Sequence, residues 1–167
     1  MSDILRIIKG RRSIRKFNIK KVEKDKIRNI LTAGRWAPSG LNNQPWRFVL
    51  IESQKYKDKI AQLTEYGGII KKAPIAILVF LDKNSSYDRD KDIMAIGACV
   101  QNMLLEAHSL GLGACWLGEI LKNKHRVNEI LNLDDRYELF AVIVSGYPVE
   151  KTSSSREKIE ELILKRI

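Results

Sequence analysis

Cysteine and histidine are scarce in this sequence. Its 167 residues include two cysteines, Cys99 and Cys115, and two histidines, His108 and His125. The cysteines share no CxxC spacing, so we predict reduced thiols rather than a disulfide framework. The histidines have no cysteine or carboxylate partners at the spacing of metal ligands. The residues that a zinc site or a Ser-His-Asp triad needs are therefore largely missing, and we expect no bound metal.

The sequence also lacks long apolar runs. No stretch approaches the ~18 residues that a membrane-spanning helix needs, and the first residues do not follow the order of a secretory signal. With 44% hydrophobic and 30% charged residues, the composition is that of an ordinary globular protein. No linker and no internal repeat divides the chain. The expectation is one cytoplasmic domain, residues 1–167, that contacts no membrane.

Acidic residues are few relative to basic ones. There are 30 Lys and Arg against 20 Asp and Glu, and the formal net charge is +10. Residues 1–28 hold eleven basic and three acidic residues, a net charge of +8. Such a segment either binds a polyanion such as nucleic acid or forms a helix face exposed to solvent. Aromatic residues make up only 7% of the chain, and Phe17 alone lies in this segment, which disfavours nucleic acid.

Hydrophobic patterning predicts helices and strands in an irregular order. Residues 73–81 are almost continuously apolar, which is typical of a strand buried on both faces. Residues 92–110, with Asp92 as a candidate cap, are apolar on nearly all sides, which indicates a central buried helix. The remaining predictions are helices over 2–9, 22–36, 53–63, 124–131 and 155–165, and strands over 47–51, 114–117 and 139–146. This order lacks regular βαβ alternation, so the predicted fold class is α+β.

Glycine motifs that bind phosphate are absent. Gly111 and Gly113 follow a helix rather than a strand, Trp116 stands where a third glycine is needed, and no GKS or GKT string occurs. Gly67 and Gly68 are expected only to weaken the order that follows them.

Two polar segments remain as candidate binding sites. If RRSIRKF is extended, Arg11, Ser13, Arg15 and Phe17 share one face, and two guanidinium groups suit a phosphate and a second anionic group of one ligand. The segment 37–46 places hydroxyl and amide groups beside a tryptophan. It is either a surface turn or a loop that binds a ring with paired donors and acceptors.

Four motifs follow one another along the chain: Arg11-Arg12-Ser13-Ile14-Arg15, then Pro38-Ser39 with Asn42-Asn43-Gln44-Pro45-Trp46, then GLGACWLG at 111–118, and SGYP at 145–148 with Arg156 downstream. In this order they resemble the motifs of the nitroreductase family of FMN-dependent oxidoreductases. The resemblance implies a small, mostly antiparallel sheet flanked by helices around a buried central helix. It also implies an intertwined homodimer with FMN at the subunit interface.

The resemblance assigns roles to residues of each motif. Arg11, Arg12 and Ser13 are expected to hold the FMN phosphate and ribityl chain, with Arg156 returning to the phosphate. Arg15 is expected near flavin N1 and the C2 carbonyl. The remaining expected contacts are a loop from the partner subunit (Pro38, Ser39, Asn42, Gln44) and the ring-lining residues near N5 (Trp116, Leu117, Gly118).

The implied activity is electron transfer from NADH or NADPH through FMN to a nitroaromatic, a quinone or another small acceptor, with ping-pong kinetics. Because the flavin carries the chemistry, no catalytic side chain is expected. Alternatives are a flavoprotein of the same fold that dehalogenates or modifies a cofactor, and a small basic nucleic-acid-binding protein. The chain is short for the family between residues 66 and 73 and after Pro148.

Overall fold

The computed structural model describes residues 1–167. The helices are Asp3–Gly10 (α1), Lys24–Arg35 (α2), Gln54–Ala61 (α3), Gly67–Lys72 (α4), Arg89–Ser109 (α5) and Lys124–Leu131 (α6). The strands are Trp46–Ile51 (β1), Ile75–Asp82 (β2), Gly113–Leu117 (β3) and Tyr137–Gly146 (β4). They form one antiparallel sheet in the order β1-β2-β4-β3. The α+β prediction is confirmed. No helix is both long and apolar enough to cross a lipid bilayer.

Strand β2 lies at the centre of the core. All eight of its residues are buried, as the unbroken apolar run predicts. Because successive side chains of a strand point to opposite faces, Ile77 and Val79 join the core beneath α2 and α5, whereas Leu78 and Phe80 join the core beneath α3, α4 and α6. The sheet is therefore covered by helices on both faces.

Helix α5 spans 21 residues and packs against α2 and the sheet. It begins at Arg89, where the Asp88 side chain accepts a hydrogen bond from the Lys91 amide. The candidate cap Asp92 is instead a fully buried residue of the first turn. Met94 is 66% exposed, so this helix is not covered on all sides.

Two predictions of local structure are wrong. Gly67 and Gly68 begin a helix rather than weaken the chain, and a side chain on Gly67 would overlap the carbonyl oxygen of Ala61, so the glycine permits the tight turn between α3 and α4. Residues 155–165 do not form a helix. Only a 3₁₀ turn, Ile159–Leu162, is present, and residues 151–167 are all exposed, so no tertiary packing supports a helix there.

Glu138 joins β4 to two helices. Arg89, at the start of α5, donates two hydrogen bonds of 2.8 and 3.0 Å to its carboxylate, and Lys124, at the start of α6, donates one of 2.6 Å. The Glu138 side chain is only 10% exposed. The hydrogen bonds from Arg89 outweigh desolvation and, with Lys124, lower the pKa of Glu138 to about 2.

Glu138→Gln is expected to reduce the free energy of unfolding at neutral pH by about 1–3 kcal/mol, because it removes the charge that both cations contact. The folded-state pKa lies below the ordinary value of 4.5, so the stabilisation is present above pH 4.5 and disappears as pH falls toward 2. Urea denaturation between pH 3 and pH 7 measures both effects. Glu129→Gln, on the exposed face of α6, is the control. Equal pH dependence of wild type and Glu138→Gln would contradict the prediction.

Candidate functional site

Residues 11–17 are fixed against the outer edge of β3. Ser13 forms a parallel bridge with Ala114, and the Ile14 amide donates a 3.0 Å hydrogen bond to the Ala114 carbonyl. Ile14 is buried, and Gly113 makes room for it, since a Cβ there would lie 2.7 Å from the Ile14 side chain. The predicted common face is broken at Phe17, which is buried while Arg15 is exposed. Strict alternation does not hold at Phe17, which forms a second bridge, to Pro148.

Three arginines, Arg11, Arg12 and Arg156, form what we call the arginine cluster. None of them makes a salt bridge with a carboxylate. Burial and the nearby charges of Arg156 and Arg12 lower the pKa of Arg11. Cationic side chains that approach one another without an acidic partner are stabilised by an external anion.

A cleft of about 400 Å³ lies beside the arginine cluster. Arg11, Arg12 and His108 contribute to its walls. One guanidinium nitrogen of Arg12 donates to the carbonyls of Lys9 and Arg11, at 2.6 and 2.9 Å, and its buried Nε has no partner. Burial and the two neighbouring arginines lower the pKa of His108. The cleft therefore favours an anionic group, and its residues fit a phosphate.

The end of β3 supplies the next predicted residues. Trp116 is 43% exposed, Leu117 is buried and Gly118 is exposed with open space at the position of a Cβ. Ser13, Arg11 and Arg15 all lie near Cys115, whose pKa is raised by burial. The structure thus brings the N-terminal arginines, Ser13 and the 116–118 segment together. Leu117 can contribute only backbone atoms to a surface site.

Glu150 belongs to this surface, although the sequence motifs give no indication of it. Its carboxylate accepts hydrogen bonds from the Arg15 amide at 2.7 Å and from the Lys16 amide at 3.2 Å. It also contributes to the cleft beside the arginine cluster. Glu150 therefore holds the backbone at Arg15 in place, although the two residues are 135 positions apart in the sequence.

The other predicted group, loop 38–44, is an ordered turn. Ser39 Oγ accepts a 3.1 Å hydrogen bond from the Gln44 amide, and the Asn42 amide donates to the Ser39 carbonyl at 3.1 Å. Pro38, Asn42 and Gln44 are exposed and Ser39 is half-buried. Trp46 is 5% exposed, so it packs into the core and offers no open apolar face beside the polar groups of the loop.

Loop 38–44 lies far from the arginine cluster within one chain. Both contact α5, but Pro38–Gly40 lie near Met94 and Ala95, whereas Arg11 and Arg12 lie beside His108. His108 is fourteen positions after Met94 on this helix, a distance of about 21 Å along the axis at 1.5 Å per residue. The predicted residues therefore form two half-sites at opposite ends of one helix.

Comparison with known proteins identifies the family. The sequence model described as the nitroreductase family matches residues 8–65 and 62–147. The chain belongs to the nitroreductase family.

Relatives and solved structures agree with this assignment. A protein of Methanothermobacter thermautotrophicus, provisionally named NADH dehydrogenase/NAD(P)H nitroreductase, is 35% identical over 89% of this chain and 78% of its own length. A protein of the same name from Archaeoglobus fulgidus is 32% identical over 90% of this chain and 88% of its own length. A provisionally assigned nitroreductase from Desulfovibrio desulfuricans, solved as a crystal structure in complex with FMN, is 46% identical in sequence to this chain. The two structures superpose with a TM-score of 0.97 over 100% of this chain and 98% of that chain. The nitroreductase fold expected from the four motifs is confirmed.

Proposed function

We propose that this nitroreductase-family protein is an FMN-dependent oxidoreductase that transfers electrons from NADH or NADPH to a small acceptor such as a nitroaromatic or a quinone. The observation that carries the proposal is the arginine cluster beside β3, which has no carboxylate partner and suits the phosphate of FMN. The FMN complex of the Desulfovibrio protein supports it. We place the activity in the cytoplasm, where both nicotinamide donors are available.

Each group of residues has a separate task in this proposal. Arg11, Arg12 and Arg156 bind the phosphate, and Ser13 contacts the ribityl chain. Arg15 would lie near N1 and the C2 carbonyl, where its positive charge would stabilise negative charge on the cofactor. Trp116, Leu117 and Gly118 line the ring near N5. When bound, FMN supplies the hydride chemistry itself, so the protein has to bind, orient and shield it.

We further propose that a second copy of the chain completes each site. Within one chain, loop 38–44 lies beside Met94 and the arginine cluster lies beside His108, about 21 Å away along the axis of α5, so a single chain does not bring both groups around one cofactor. Apolar side chains also remain exposed on the monomer, among them Ile4, Trp36 and Met94. The tail 151–167 is exposed and carries Leu162, Leu164 and Ile167. Burial of these surfaces favours a homodimer in which loop 38–44 of one subunit reaches the flavin of the other.

The purified protein is expected to be yellow and to carry about one FMN per subunit, because each chain supplies one arginine cluster and one loop. Released flavin is identified by chromatography and quantified by absorbance. Steady-state rates with varied donor and acceptor are expected to give parallel double-reciprocal lines, since the donor product leaves before the acceptor binds. A colourless protein that takes up no FMN on titration would contradict the proposed cofactor. Converging lines would contradict the ping-pong order.

A further inference from the structure

Loop 38–44 has a backbone conformation that needs support. Leu41, Asn42 and Gln44 have φ angles of 52°, 54° and 45°, in the left-handed region that non-glycine residues enter at a cost in free energy. Such a conformation persists only where surrounding contacts hold it. Asn42 and Gln44 are also residues that the proposed function assigns to the flavin. Whatever holds this loop therefore sets the direction of its flavin-binding groups.

Asn43 connects the loop to the rest of the protein. Its side-chain nitrogen donates hydrogen bonds to Asp92 Oδ1 at 2.6 Å and to the Ser85 carbonyl at 2.9 Å. Its backbone amide donates to the Gly40 carbonyl at 3.0 Å and closes the turn. The buried side-chain oxygen of Asn43 has no partner, so the Asn43 side chain makes its contacts through the nitrogen only.

Asp92 is the buried end of this connection. Its side chain is completely buried in the first turn of α5, and its Oδ2 accepts hydrogen bonds from Ser86 Oγ at 2.6 Å and the Tyr87 amide at 3.2 Å. Burial opposes ionisation, but the hydrogen bonds from Ser86, Asn43 and backbone amides outweigh it and lower the pKa of Asp92. No salt bridge neutralises this carboxylate. Its charge is balanced by donors, one of which is the loop residue Asn43.

A second contact restricts the same loop from the side of α5. The Tyr87 hydroxyl packs so closely over Gly40 that any side chain at this position would overlap it. Tyr87 and Ser86 belong to the short segment that also donates to Asp92. The carboxylate therefore organises both the segment that covers the loop and the residue that anchors it.

We propose that Asp92, acting through Asn43, is a positioning residue for FMN: it locks loop 38–44 in the conformation that presents Ser39, Asn42 and Gln44 to the cofactor. This inference rests on the proposed function. Asp92 itself is fully buried and does not touch the cofactor. It acts through geometry, by holding three left-handed residues in a conformation they otherwise leave.

The test compares Asn43→Ala and Asp92→Asn with wild type and with Glu138→Gln. Asn43→Ala removes the loop connection and leaves the Ser86 and Tyr87 bonds to Asp92 in place. Glu138→Gln is the matched control, because it also disrupts a hydrogen-bonded carboxylate of the fold but lies outside the proposed FMN site. The dissociation constant of FMN is measured by titration of flavin fluorescence, the environment of the bound ring by its visible absorption bands, and stability by thermal unfolding without FMN.

Both loop variants are expected to bind FMN about tenfold more weakly and to shift its absorption bands. Glu138→Gln is expected to lose stability while its FMN affinity stays within about twofold of wild type. Unchanged affinity and spectrum in Asn43→Ala would overturn the inference, and this variant decides alone if Asp92→Asn does not fold. An equal loss of affinity in Glu138→Gln would also overturn it. A wild-type protein that binds no FMN would overturn the proposed function, and the inference with it.

Discussion

Arg11→Ala is expected to weaken FMN binding by about 10- to 150-fold, because it deletes a charge-assisted hydrogen bond to the phosphate that is worth about 1.5–3 kcal/mol. Arg11 is the member of the arginine cluster whose charge the other two members face. It is half-buried, it lies near Arg12 and Arg156, and its pKa is lowered. The measurement is the dissociation constant of FMN, by fluorescence titration of the flavin-free protein.

Arg126→Ala provides the matched control for this substitution. It removes the same charge from an exposed position on α6 and is expected to leave FMN affinity unchanged. Arg11→Ala is also expected to change thermal stability little without FMN, because the substitution removes the repulsion between Arg11 and its two cationic neighbours, Arg12 and Arg156. If Arg11→Ala and Arg126→Ala bind FMN equally well, Arg11 lies outside the site.

A mixed dimer of Arg11→Ala and Gly40→Val chains is expected to regain FMN that neither variant binds well alone. Gly40→Val is expected to disturb the loop, because a side chain there takes the place of the Tyr87 hydroxyl and forces Tyr87 away from the loop. In the mixed dimer, the arginine cluster of the Gly40→Val chain meets the intact loop of the Arg11→Ala chain. One site is then complete and the other carries both defects, so about one FMN is expected per dimer.

Co-expression with two different affinity tags isolates the mixed dimer, and flavin absorbance gives its FMN content. Each single-variant homodimer is the control and is expected to bind FMN at least about tenfold more weakly than wild type. If both halves of a site came from one chain, every chain in the mixture would carry a defective site. A mixed dimer as poor in FMN as its parents would therefore contradict the two-chain site.

The sequence predicts the buried parts of this fold well. The run 73–81 matches β2, and the apolar stretch 92–110 matches α5 to within a few residues at its start. Both elements are buried on most sides, so their sequences contain few polar residues and are easy to recognise. The tail was predicted wrongly for the complementary reason. Residues 155–165 have helical spacing, but helical stability comes mainly from packing, and the chain itself offers them no packing surface.

The candidate site was predictable where charge marks it. Four basic residues within residues 11–16 point to an anion, and the structure places Arg11 and Arg12 in one cleft. Two lysines of the Lys-rich remainder of the basic segment make contacts within the fold. Lys26 donates to the Leu110 carbonyl and the Tyr147 hydroxyl, both at 3.1 Å, and Lys20 lies over the Tyr147 ring.

Long-range contacts within the site could not be predicted. Asn43 and Asp92 are 49 residues apart, and Arg15 and Glu150 are 135 apart. Nothing in local sequence distinguishes a carboxylate that caps a helix from one that holds a distant loop. Two of the left-handed residues of loop 38–44, Leu41 and Gln44, are equally hidden, because leucine and glutamine give no signal for positive φ.

The placement of the two half-sites at opposite ends of α5 has a consequence for cofactor supply. In the proposed two-chain site, flavin occupancy and subunit association are linked by mass action, so each must strengthen the other. Dilution that separates the subunits releases the cofactor, and added FMN draws separated chains together. At concentrations where most chains are monomeric, the amount of holoenzyme then rises with the square of the chain concentration, so a modest increase in synthesis yields a disproportionate gain in activity.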